Sequence, residues 1–212
     1  MIRLCAWCAF LVCLFLGTAD CQQQMYCPFD VNLSSFWHWL WFRMLYTTKN
    51  TCSAAFGCYG FDICKTQSVA IRFTPSVTAN LTSIFITVMS NANLPHPTVN
   101  YTLCSNAPSV NDTTPLCAHG SSGTVLEVWN DIEIPTEGWV PVNQTISSTK
   151  QPLLQQTGTY WVVAESDARC GHDGIWIIVS ETGFVATKEG HDDWMGGDGG
   201  AVAITVFGVV AK

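Results

Sequence analysis

The densest group of oxygen donors in the sequence is His191-Asp192-Asp193-Trp194, followed by Gly196-Gly197-Asp198-Gly199-Gly200. The carboxylates of Asp192, Asp193 and Asp198, with loop carbonyls, are the hard ligands that Ca²⁺ collects. Their spacing does not follow an EF-hand loop, so the competing reading is a flexible, acidic surface loop. Cys170-Gly171-His172-Asp173-Gly174 brings a His and an Asp together, which suits a metal or proton relay but suits a disulfide-pinned turn better. His38, His96, His119, His172 and His191 are scattered along the chain. No Gly-x-Ser-x-Gly elbow, His-Glu-x-x-His pair or phosphate-binding glycine loop occurs. These residues point away from an enzyme, and an extracellular hydrolase is the least supported class.

The other chemistry-bearing residues are cysteines, sequons and tryptophans. The chain has 11 Cys. Cys5, Cys8 and Cys13 lie in an N-terminal apolar run, leaving Cys21, Cys27, Cys52, Cys58, Cys64, Cys104, Cys117 and Cys170. In an oxidising compartment these are expected to form disulfides, with Cys104 and Cys117 as the nearest local pair and the rest of the connectivity open. Five sequons occur, at Asn32, Asn80, Asn100, Asn111 and Asn143, and Asn50-Thr51-Cys52 is a weaker sixth. Each is an acceptor for an N-glycan in a secreted chain. Trp129, Trp139, Trp161, Trp176 and Trp194 suit two roles. Exposed, they would stack on sugars; facing inward, they would fill a core.

The N-terminus decides the compartment. Arg3 precedes an apolar run over residues 4–16, and Gly17-Thr18-Ala19 supplies small residues for cleavage. This predicts a signal peptide over residues 1–21, cut after Ala19 or Cys21. The run is too short to span a bilayer, and residues 201–211 read as a last buried strand rather than a membrane segment. Charged residues make up 12% of the chain and hydrophobic ones 48%, so glycans would cover surface that charges do not. A net charge of −7 argues against nucleic acid as a partner.

From about residue 68 the hydrophobic period is two. Strands are expected over residues 69–74, 81–89, 99–104, 125–134, 138–146, 159–165, 175–180, 184–187 and 201–210. Turn residues separate them, at 93–97, 120–123, 135–138 and 196–200. Without crossover helices, this pattern predicts an all-β jelly-roll sandwich over residues 68–212. In Val99-Asn100-Tyr101-Thr102-Leu103 the alternation turns Asn100 and Thr102 to water and the other three to the core.

Certain motifs, in their order, carry a resemblance. They are Ala70-Ile71-Arg72-Phe73-Thr74-Pro75, Leu81-Thr82-Ser83-Ile84, residues 99–103, Leu126-Glu127-Val128-Trp129, Pro152-Leu153-Leu154, Gly158-Thr159-Tyr160-Trp161-Val162-Val163, Gly174-Ile175-Trp176 and Trp194. Residues 65–212 resemble the jelly-roll domain of bacterial surface proteins of the choice-of-anchor type. The Gly-Thr-Tyr-Trp-Val-Val motif is its most specific part. The resemblance implies fold and extracellular location, not an activity. The chain departs from that family in its N-terminal extension and in ending on a strand rather than an anchor. More loosely, it is similar to jelly-roll subunits of glycan-coated extracellular fibrils.

Residues 22–67 form that extension, rich in Cys and Trp. Phe36, Trp37, Trp39, Leu40, Trp41, Phe42 and Met44 are too many large apolar side chains for a free surface segment. As a helix, Trp37, Leu40, Trp41 and Met44 share a face; as a strand, Trp37, Trp39 and Trp41 do. The segment either adds a strand to a neighbouring copy or folds back on its own domain. The expected function is a secreted, N-glycosylated structural protein that assembles with copies of itself through this extension. The alternative is a carbohydrate-binding module with exposed tryptophans and extracellular polysaccharide as its partner.

Overall fold

The computed structural model describes residues 42–48, 60–90, 97–106, 113–115, 117, 123–135, 140–167, 169–170, 174–180, 184–190, 193–198 and 201–211. These residues form strands and loops only. One sheet runs β1 (Phe42–Thr47), β14 (Ile204–Val210), β4 (Ala79–Ser90), β7 (Val142–Ser147). The other runs β12 (Met195–Asp198), β11 (Phe184–Glu189), β3 (Gln67–Phe73), β9 (Tyr160–Glu165), β5 (Thr98–Ser105), β6 (Thr124–Glu133). All of these pairings are antiparallel. Taking β1, β3, β4, β5, β6, β7, β9 and β14 in chain order, the chain passes repeatedly between the sheets. The resulting orders, β1-β14-β4-β7 over β3-β9-β5-β6, are those of a jelly roll.

Four short or extra strands decorate this frame. β8 (Leu153–Leu154) continues the β7 side of β4, and β10 (Gly174–Ser180) pairs with the far end of β4. β2 (Gly60–Asp62) and β13 (Ala201–Val202) both pair with β10. β10 and the β11–β12 hairpin, which belong to different sheets, thus lie between β9 and the last strand, β14.

Side-chain alternation explains which face of each strand is buried. Val69, Ile71 and Phe73 of β3, Val99, Tyr101 and Leu103 of β5, and Tyr160, Val162 and Ala164 of β9 all join the central core. They meet Ile84 and Ile86 of β4 and Val206 of β14 from the facing sheet. At about 1.5–3 kcal/mol for each fully buried aliphatic or aromatic side chain, this layer is the main favourable term in folding. β9 is buried on both faces, because Trp161 and Val163 enter a second cluster outside the sandwich. Ala70, Cys104 and Ala186 complete that cluster, with Cys117, Phe184 and Trp194 packed against it.

Several expectations change. The boundary at residue 68 falls inside the sandwich, because β1, β2 and part of β3 come from the stretch assigned to the extension. The reason is a bulge. Met44 pairs with Phe207 and Tyr46 with Val206, so Leu45 is the extra residue between them. The bulge turns Leu45 into the core, where it is 1% exposed, and breaks the alternation by which a strand is recognised. Helix is excluded for residues 42–47. The glycine-rich stretch expected as a turn at 196–200 instead supplies β12, an edge strand on β11. The short strand β8 was not expected, and the strand expected over residues 201–210 divides into β13 and β14; the other expected strands fall where the period of two places them.

Candidate functional site

β1 is the part of the expected assembly segment that lies within the described residues, together with its members Phe42 and Met44. Phe36, Trp37, Trp39, Leu40 and Trp41 lie outside them. In this chain β1 folds back and pairs with β14. The Ser76 N–H donates to the Leu45 carbonyl at 2.8 Å, which satisfies the bulge. Thr48 Oγ1 donates to the Val202 carbonyl at 2.7 Å and accepts from the Ile204 N–H at 3.0 Å. Leu45 seats over Gly208. A β-carbon there would lie 2.7 Å from Leu45 Cδ1 and 2.7 Å from the Asn80 carbonyl oxygen. Met44 faces solvent at 54% exposure, with Arg43 and Thr47 also exposed on β1.

Two disulfides lie among the described residues. Cys104–Cys117 is the local pair expected. Cys64–Cys170 ties the start of β3 to the segment after β9, across 106 residues of sequence. Cys21, Cys27, Cys52 and Cys58 lie outside the described residues. The long bridge closes residues 64–170 into one loop; β1 precedes that loop in sequence, and β10 to β14 follow it.

Three sequons can be placed. Asn100 is on the outward face of β5, with Tyr101 buried beneath, as the alternation requires. Its Oδ1 accepts the Asp131 N–H at 2.8 Å. That donor is turned out of the ladder by a bulge in which Asn130 and Asp131 oppose Asn100, with Asp131 at φ 53°. Asn143 is exposed on β7, and its Oδ1 accepts the Thr87 hydroxyl at 2.9 Å. Asn80 lies within β4 between Leu153 and Val209. Asn32, Asn111 and the weaker Asn50 lie outside the described residues.

The tryptophans divide. Trp129 is 7% exposed and its indole N–H donates to the Ser147 carbonyl at 2.9 Å. Trp161 is fully buried, with its ring edge-on to Phe184 at 5.8 Å. Arg72 lies over the other aromatic partner of this group, 3.9 Å from the Phe184 ring centre. Trp194 is half-buried against the same cluster. Trp176 lies on β10 opposite Val88 and Phe61, and Trp139 lies outside the described residues.

Among the described residues no group of three His, Cys, Asp or Glu side chains is placed to hold a metal ion. Asp193 is exposed, Asp198 is on β12 opposite Phe184, and Asp192 lies outside the described residues. All five histidines, and Asp173, also lie outside them. Among the described residues no helix is long and apolar enough to cross a membrane.

Sequence reasoning missed Glu127, which is 0% exposed on β6. Its Oε2 accepts the Ser148 hydroxyl at 2.5 Å. Its Oε1 accepts from the Thr149 N–H at 2.6 Å, the Thr149 hydroxyl at 3.0 Å and the Lys150 N–H at 3.2 Å. Burial opposes the charge, but these donors outweigh it and hold the carboxyl below its ordinary range. The group is a strut between β6 and the β7–β8 loop. The signal in the sequence was one acidic residue at an inward position of Leu126-Glu127-Val128-Trp129, with Ser147-Ser148-Thr149 to receive it.

No protein-family model matches this sequence, and no curated protein and no solved structure matches it.

Proposed function

We propose that this chain is a secreted, N-glycosylated structural subunit that assembles with copies of itself by exchanging its first strand. The observation that carries this reading is the position of β1. Among the described residues it is the outermost strand of its sheet, it precedes the loop closed by Cys64–Cys170, and it is held by ladder bonds, by Leu45 in the core and by Tyr46, whose ring lies 5.7 Å from that of Phe73. Every bond that β1 makes to β14 can be made unchanged by β1 of a second copy. Repeated head to tail, such exchange builds a filament. The apolar run before β1 adds length for reaching a neighbour. The jelly-roll order also supports, as a proposal, the kinship with choice-of-anchor-type surface domains. The burial of Trp129 and Trp161 takes two platforms from the carbohydrate-binding alternative.

Electron microscopy of the secreted chain tests the reading. Filaments are expected for the wild type, and short or absent ones for Leu45→Asp, which places a charge in the socket over Gly208. A wild-type chain that stays monomeric at high concentration would overturn the proposal.

A further inference from the structure

We propose that Asn100 and Asn143 carry N-linked glycans whose place in the fold is to close the free edge of β6 at its Asp131–Glu133 end. This rests on the secreted reading above. It goes beyond that reading by naming the occupied acceptors and what the sugars do.

β6 is ten residues long and is the last strand of its sheet, so its side away from β5 pairs with no strand among the described residues. Val125 and Val128 are exposed in its first half, and Asp131 and Glu133 at its other end. A long edge with exposed apolar residues is a template for unwanted strand addition. Half of the strand is already protected. Glu127 is pinned to the β7–β8 loop, and Trp129 to the Ser147 carbonyl at the end of β7. The Asn130–Asp131 bulge then disturbs the ladder towards the other end.

Both acceptors flank that other end, one from each sheet. Asn100 opposes the bulge itself and holds the Asp131 N–H. Asn143 adjoins Gln144, whose Nε2 donates to the Glu133 carbonyl at 2.7 Å. In both asparagines the carboxamide oxygen makes the hydrogen bond, while Nδ2 has no partner among the described residues. That is the arrangement an N-glycan needs. The linkage uses Nδ2 and leaves Oδ1 free to accept. Thr102 and Thr145 share the outward faces of their strands with the acceptors, and the residues between them point inward. In the transfer, Nδ2 bonds to the anomeric carbon of an oligosaccharide carried on a lipid pyrophosphate. The anomeric C–O bond breaks, the lipid pyrophosphate leaves with its electron pair, and Nδ2 gives up one proton.

The test uses the full chain secreted from a eukaryotic host. A glycosidase that releases N-glycans converts each occupied Asn to Asp, and peptide masses read the change at positions 100 and 143. The double variant Thr102→Ala, Thr145→Ala removes both sequons and keeps both asparagine hydrogen bonds. It is expected to form aggregates several-fold faster than the wild type, with the Thr124–Glu133 amides newly protected from hydrogen exchange. Folded wild type stripped of sugar enzymatically is a second preparation and must do the same. Unmodified Asn100 and Asn143 in the secreted chain would overturn the proposal. So would stripped protein that stays as soluble as the wild type. Retention in the cell with residues 1–21 uncleaved would overturn the secreted reading and this proposal with it. Secreted chain glycosylated at both positions, aggregating when stripped yet forming no filaments, would sink only the assembly reading.

Discussion

At the scale of single residues, Glu127 joins chemistry most directly to stability. This buried carboxylate persists because four hydrogen bonds from Ser148, Thr149 and Lys150 converge on it. Glu127→Gln would turn an amide N–H₂ towards donors that need an acceptor. Hydrogen bonds to a charged group contribute about 1.5–3 kcal/mol, and chemical denaturation at neutral pH should show a loss of that order. The pH dependence follows from the lowered folded value. The stabilisation is fully present above the ordinary carboxyl value of 4.5 and is lost as the pH falls through the lower folded value. Denaturation midpoints between pH 7 and pH 3 should therefore fall more steeply for the wild type than for Glu127→Gln. Equal slopes would mean the strut does not titrate with folding.

At the scale of elements, β1 and its bulge separate what local sequence can and cannot encode. Phe42-Arg43-Met44-Leu45-Tyr46 shows no alternation because Leu45 is an inserted residue, and no local rule announces a bulge without its partner strand. The partner is β14, whose Thr205 hydroxyl meets that of Thr47 at 2.8 Å across 158 residues. Leu45→Ala should cost about 2–5 kcal/mol, with the size set by how far the site collapses. Gly208→Val should displace β1 more selectively, because the added atoms meet Leu45 and the Asn80 carbonyl. Hydrogen exchange should show lost protection in β1 with β9 unchanged. Uniform loss across both strands would mean that β1 is inseparable from the core.

At the scale of the whole molecule, the Cys64–Cys170 bridge closes the largest loop among the described disulfides. The chain-entropy account assigns a loop of about 100 residues about 4.7 kcal/mol of stabilisation, by restricting the unfolded chain. Cys64→Ser with Cys170→Ser should lower stability by about 2–5 kcal/mol, read by denaturant unfolding. Opening Cys104–Cys117, which spans 13 residues, should cost less. Reversal of that order would show that local packing, not loop closure, governs the bridges. The long bridge closes residues 64–170 into one loop, which β1 precedes in sequence and its partner β14 follows.

Sequence alone determined the all-β class, the place of most strands and the Cys104–Cys117 pair. These follow from a period-two pattern and short separations, both of which are local. Asn100 was legible for the same reason, as a polar residue between two buried neighbours on one strand. Only the tertiary structure decided which strands adjoin, because a ladder between β1 and β14 depends on backbone groups that every residue carries. It also decided that Trp161 lies in a cluster outside the sandwich. A strand buried on both faces loses the alternation that would have assigned the side chain to one of them. Glu127 belongs to this second group as well. A charge becomes a buried strut only where another segment brings donors to it, and that meeting exists only in the folded chain.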